Sequence, residues 1–222
     1  MTLAEKILLF HRTLELPGQL PPGVEVMNPF ALDETYTIAA QFYKKYYSNN
    51  NPRKLILGIN PGRFGAGLTG VPFTDPIKLK DICGIDNPFP RKAELSADFI
   101  HLMIKEYGGV KKFFSDFYIN SVFPLGFTKG GKNLNYYDQP DLQKIAEPYC
   151  VSSIQTQLDF GLDRERIFCL GEGKNSAFLN RLNERHHFAL EIVALPHPRF
   201  IMQYKRKSIP SYIELFLKAL TK

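Results

Sequence analysis

The chain has no tryptophan, only three cysteines among 222 residues, and no long apolar run. The first of these excludes no fold class; the other two exclude a good deal. Cys83, Cys150 and Cys169 lie far apart and form no Cys-x-x-Cys pair. Neither a disulfide framework nor a metal site is therefore expected, but buried, reduced thiols in an intracellular protein. The opening "MTLAEKILLFHRTLEL" lacks a long apolar centre and a small-residue cleavage site. No signal peptide is expected, and no stretch approaches the ~20 apolar residues of a membrane span. GxxxxGK[ST] does not occur, and the one stretch at GxGxxG spacing, Gly65 to Gly70, lies in a run of turn-formers five residues past the predicted strand rather than directly between strand and helix, so the phosphate cradles of dinucleotide and nucleotide folds are disfavoured. His186 and His187 sit in the charged stretch "NERHHF" without metal-ligand spacing and read as surface.

What is present is core material and a modest excess of positive charge. Hydrophobic residues make up 44% of the chain, with 18 phenylalanines and 11 tyrosines. The length suits one domain. A net charge of +6 and a pI near 9.1 suit a polyanionic partner such as nucleic acid, although many basic proteins bind none.

Residues 1–50 read as a helical extension packed on that domain. Ile7, Leu8, Leu14 and Leu16 fall at helical spacing around Phe10, "LPGQLPPGVEVMNP" breaks the helix, and a second helix is predicted from an N-cap at Asp33. Thereafter strands and helices alternate. Short apolar or β-branched runs predict strands at 54–60, 116–125, 166–171 and 188–195; helices are predicted at 94–107, 141–160, 174–185 and from about Pro210. Pro148 marks a kink or a fresh start in the second of these. The pattern implies a three-layer α/β/α sandwich around a central, mostly parallel four-stranded sheet. Ligands of such sheets bind beyond the carboxyl ends of the strands.

The unusual residues fall on that rim. The first strand ends in "NPGRFGAGLTGVPF", the second in "NSVFPLGFTKGGKN" and the fourth in "PHPRF". Asn60 before Pro61-Gly62 is most simply an Asx-Pro turn, but a side-chain amide fixed there also orients a water or a ligand. Phe64 and Phe73 are core plugs unless a flat ligand such as a nucleobase stacks on them. His197, between two prolines and facing a fixed amide, is a better catalytic candidate than an average histidine. Arg199, Met202, Tyr204, Lys205, Arg206 and Lys207 form either a solvated charge run or a DNA face, in which cations meet phosphates and a long side chain fills the place of an extruded base.

These motifs together resemble the single-strand-selective monofunctional uracil-DNA glycosylases, in order and over about residues 54–200. Asn60, Pro61, Gly62, Phe64, Gly65, Thr69, Gly70, Val71, Pro72 and Phe73 fall at the spacing of that family's first motif. "FYINSVFPLGFTKGGKNL" is similar to its second region and "PHPRF" to its last. There are departures. Arg63 replaces a proline, and the last motif lacks its internal Ser-Pro. Asn120 stands four residues before Pro124 where the family has three, so either one residue is inserted or Ser121 takes the base-reading position.

The resemblance implies a DNA glycosylase acting as a monomer, in the cytoplasm or on a bacterial nucleoid, without metal, cofactor or lyase chemistry. Asn60 would position the attacking water and His197 would donate to uracil O2. Phe73 would stack on the base, Asn120 or Ser121 would read its edge, and Ile59, Gly62 and Phe64 would complete the pocket. Arg63, Lys132 and the 199–207 segment would hold single- or double-stranded DNA. A preference for xanthine or hypoxanthine, an inactive DNA-binding relative, and a small-molecule binder on a flavodoxin-like sheet are the competing readings.

Overall fold

A computed structural model describes residues 1–14 and 18–221; Leu16, assigned above to the first helix face, lies outside them. The central sheet holds four strands in the order β3-β2-β6-β7, and every pairing is parallel: β2 (Lys54–Gly58), β3 (Phe117–Ser121), β6 (Arg166–Leu170) and β7 (Glu191–Leu195). The run "KLILG" is buried from Leu55 onward, as a strand covered on both faces requires. Tyr118 and Asn120 face one side of the sheet, Phe117 and Ser121 the other, because side chains alternate along a strand.

Helices cover both faces. α5 (Leu95–Tyr107) packs against α6 (Val110–Asp116), α9 (Pro198–Tyr204) and α10 (Ile209–Leu220), with Phe99 edge-on to Phe216. On the other face α8 (Lys174–His186) lies on β6 and β7. There Tyr118 and Phe10 of α1 (Leu3–Arg12) meet Phe160, just beyond α7 (Pro140–Leu158). α7 runs unbroken through Pro148. Lys144 and Pro148 are both exposed, so the carbonyl that the proline leaves without a donor is open to water.

Residues 1–50 are more than a helical extension. Asp33 opens α2 (Asp33–Tyr46) as its first residue, and Leu32 stands at the N-cap without a side-chain bond. The glycine- and proline-rich stretch before it contains β1 (Val24–Met27), which pairs antiparallel with β4 (Gly126–Lys129); β5 (Lys132–Leu134) completes this second sheet. The side chains of Leu3, Ile7, Phe30, Ile38 and Phe42 belong to the same core as those of the central strands. Two short helices, α3 (Ala66–Thr69) and α4 (Pro76–Asp81), follow β2, and α9 forms where a solvated charge run was one expectation. Among the described residues no helix is long and apolar enough to cross a membrane.

Candidate active site

A cleft of about 670 Å³ opens at the carboxyl rim of the central sheet. The loop after β2, the β4–β5 hairpin with the turn that follows it, the start of α5 and the start of α9 enclose it.

The loop is built to hold its shape. Thr69 is fully buried; its hydroxyl donates to the Thr74 carbonyl at 2.7 Å and accepts from Val71 N at 3.1 Å. Gly58 ends β2 and has no side chain for a reason: a Cβ there would sit 2.7 Å from Cζ of Phe73. Phe73 itself has φ +54°, a left-handed conformation that a bulky residue rarely adopts. Such strain is held only where surrounding packing over-determines it, and it collects at functional sites. The ring faces His197 across 6.4 Å between centroids.

Asn60 is clamped from the hairpin side. Its Nδ2 donates to the Leu134 carbonyl and its Oδ1 accepts from Tyr136 N, both at 3.2 Å. A primary amide has two N–H donors and two lone pairs on oxygen. One of each is thus left for the cleft, with the amide plane already fixed. Behind the clamp, the Tyr136 hydroxyl donates to Asn175 Oδ1 at 2.7 Å, and Asn175 Nδ2 donates to the Leu170 carbonyl at 3.1 Å.

His197 is the N-cap of α9, and its Nδ1 accepts from Arg199 N at 3.2 Å. With Nδ1 engaged as an acceptor, the ring proton resides on Nε2. Burial, aided by the charge of Arg199, lowers the imidazole to about 4. At neutral pH the ring is therefore an uncharged donor through Nε2.

Of the residues singled out in the sequence, Ile59, Asn60, Gly62, Arg63, Phe64, Phe73, Lys132, His197, Arg199 and Tyr204 line this one cleft. Arg63 spans to the hairpin: its guanidinium donates to the Gly131 carbonyl and its backbone N to Asn133 Oδ1. Six residues do not reach the cleft. Asn120 is buried on the opposite side of its strand from Ser121, and its amide is engaged within β3, donating to the Tyr118 hydroxyl at 2.7 Å and accepting from Ser121 N at 2.8 Å. Ser121 pairs in register with Gly58, one strand across, and is not in the lining. Met202 is buried against the α5 side of α9, where it cannot serve as a wedge in DNA. Lys205 and Lys207 are exposed outside the cleft, as is Arg206, whose Nε donates to the Met202 carbonyl.

The structure also adds residues. Tyr137 and Asn135 follow the quoted hairpin motif by a few positions, and Phe200 closes "PHPRF"; all three line the cleft. Phe200 is 44% exposed and Tyr204 66%, with ring centroids 5.6 Å apart at the mouth. Proximity to the motifs was the signal for these three. Glu94 also lines the cleft, and nothing in "RKAELSAD" marks it.

The family model of the Uracil DNA glycosylase superfamily matches residues 45–221. A solved crystal structure of wild-type SMUG2 from Pedobacter heparinus superposes with a TM-score of 0.96 at 45% sequence identity, over 100% of this chain and 97% of that one.

Proposed function

Because the chain belongs to the uracil DNA glycosylase superfamily, we propose that it is a monofunctional DNA glycosylase that hydrolyses the N-glycosidic bond of uracil or a related deaminated or oxidised base. The observation that carries this reading is the pairing of a fixed Asn60 amide with a neutral His197 donor across one cleft. A base inside a duplex is out of reach, so it must first leave the stack. The Phe73 ring offers the flipped base a stacking face. As the bond breaks, the sugar gains positive charge and the base negative charge, largely on O2 for uracil. The Nε2–H of His197 stabilises that oxygen as charge develops, without prior loss or gain of a proton. Asn60 holds the water that attacks C1′.

Preference for xanthine or hypoxanthine is the second reading. What favours it is the withdrawal of Asn120, the side chain expected to read a pyrimidine edge, from the cleft. Oligonucleotides carrying uracil, xanthine or hypoxanthine, single- and double-stranded, separate the two when incubated with the protein and then treated with alkali. Scission at uracil supports the first reading, scission at the purines alone the second. No scission with retained DNA binding marks an inactive relative.

DNA binding has its own expected result. Arg199 and Lys132 are exposed cations on the cleft wall. Each phosphate contact contributes about 0.9 to the log–log dependence of affinity on salt. Replacing both with Ala should flatten the slope by ~1–2. Replacing Lys205 and Lys207 instead should change it less, since they lie outside the cleft. An unchanged slope in the Arg199/Lys132 double variant would remove this wall from the DNA path.

A further inference from the structure

The cleft contains one group that the reaction above leaves unused. Among its lining residues Glu94 is the sole carboxylic acid; the remainder are amides, cations, hydroxyls, aromatic rings, aliphatic residues and the neutral imidazole of His197. Its place is fixed by the buried Asp75. That carboxylate caps α4 through Lys78 N, and its Oδ2 accepts from Glu94 N at 2.9 Å, tying the start of α5 to the end of the loop that begins at Asn60. The Glu94 side chain fills space that two glycines of that loop leave open. A Cβ on Gly62 would lie 3.3 Å from Oε1, and one on Gly65 would lie 2.8 Å from the carboxyl carbon. The carboxyl thus rests against the same turn that carries the Asn60 amide two residues earlier.

The charged groups around it are Asp75 before α4, Lys78 on α4, Asp98 on α5 and Arg199 on α9. Burial first, and then the charge of Asp75, push the carboxyl up to about 7, while Arg199 and Lys78 act in the opposite sense. No hydrogen bond from a described residue to the carboxyl offsets that burial. The alternatives for handling a proton are poor. An amide does not accept one at neutral pH, and the Nδ1 of His197 is already occupied by Arg199 N.

We infer that the Glu94 carboxylate is the working anion of the site, stabilising the sugar cation as the base departs and taking the proton of the water that Asn60 holds. The inference rests on the glycosylase reading. The bond from C1′ to the base nitrogen breaks and its electron pair leaves with the base. The water oxygen bonds to C1′, and one water proton passes to Glu94 Oε. The base anion takes up a proton from solvent, and Glu94 returns its own to solvent.

The test is the pH dependence of the single-turnover rate of base release for the wild type, Glu94→Gln and Glu94→Asp. Only the ionised carboxyl serves, so the wild-type rate should rise about tenfold per pH unit below an apparent pKa near 7 and level off above it. Glu94→Gln should be slower by roughly 100-fold at pH 8 and lack the rise, and Glu94→Asp should keep a rise on a lower plateau. Melting temperature separates this role from a structural one. The folded value of about 7 exceeds the ordinary 4.5, so the fold favours the protonated form. The stability this lends is complete below pH 4.5 and is lost as pH rises through 7. Glu94→Gln should then melt no lower than the wild type at pH 8. A wild-type-like rate and pH rise in folded Glu94→Gln would overturn the role while leaving the glycosylase reading intact. So would a lower melting temperature at pH 8 with an unchanged rate profile. Absence of base release by the wild type at every pH would overturn both.

Discussion

Asn60→Ala should lower the single-turnover rate of base release by more than ~100-fold, or about 2.7 kcal/mol of barrier, the scale of one positioned catalytic hydrogen bond. The amide is held on both sides, by the Leu134 carbonyl and Tyr136 N, and offers its remaining donor and acceptor to the cleft. An attacking water bound to it approaches C1′ from one direction only. In the alanine variant water still enters, but with neither orientation nor a fixed distance. The same substitution releases two partly buried backbone groups, at about 1 kcal/mol each, so melting should fall by a few degrees without loss of the fold. Binding to DNA should change much less than the rate. A folded Asn60→Ala protein with near-normal release would show that the amide serves the hairpin alone.

For His197→Ala the expected cost is roughly 10- to 1000-fold in the same rate, the range for losing one oriented donor to developing negative charge. The geometry predicts where the loss appears. Nδ1 is engaged by Arg199 N and the ring is neutral, so Nε2–H is the ring donor left free, the group that would meet the base in the proposed reaction. A donor to O2 gains strength only as charge accumulates there. The chemical step should therefore suffer more than ground-state binding. Bases that leave poorly should be affected more than bases that leave easily. Removing the side chain also removes the cap of α9, worth ~1 kcal/mol and hence a melting shift of ~2–4 °C. An intact rate beside a large fall in melting temperature would make His197 a capping residue and no more.

Much of this arrangement was legible before any coordinates. The four parallel strands are short, apolar and flanked by turn residues, and "KLILG", "FYINS", "RIFCL" and "EIVAL" all read as strands. The rim followed from the rule on parallel sheets, and with it Asn60, Phe73 and His197. The second sheet did not follow. "VEVM", "GFTK" and "KNL" are three or four residues each, edged by glycine or proline, and become strands only by pairing with one another. α9 was obscured because Arg199 and the three cations just past its end hide the apolar Ile201 and Met202, which it buries against α5. Asn120 was misplaced because counting residues to Pro124 does not show on which side of β3 a side chain emerges. Glu94 was beyond reach for a different reason. Its burial and its neighbours Asp75 and Arg199 come from three separate segments, and a lone glutamate near a helix start looks the same in any sequence.

The pairing of β1 with β4 makes the family match an unsafe guide for trimming the protein. The superfamily model starts at residue 45, and an engineer choosing a minimal fragment would cut there. That cut would strip Val24–Met27 from Gly126–Lys129 and bare an unpaired sheet margin on the hairpin whose far end carries the Leu134 carbonyl, the acceptor for Asn60. The apolar flank once covered by α1 would be wetted at the same time. The shortened chain would keep every residue named in the chemistry and lose the brace behind them, so a weak or sticky fragment would report on its scaffold and say little about its catalysis.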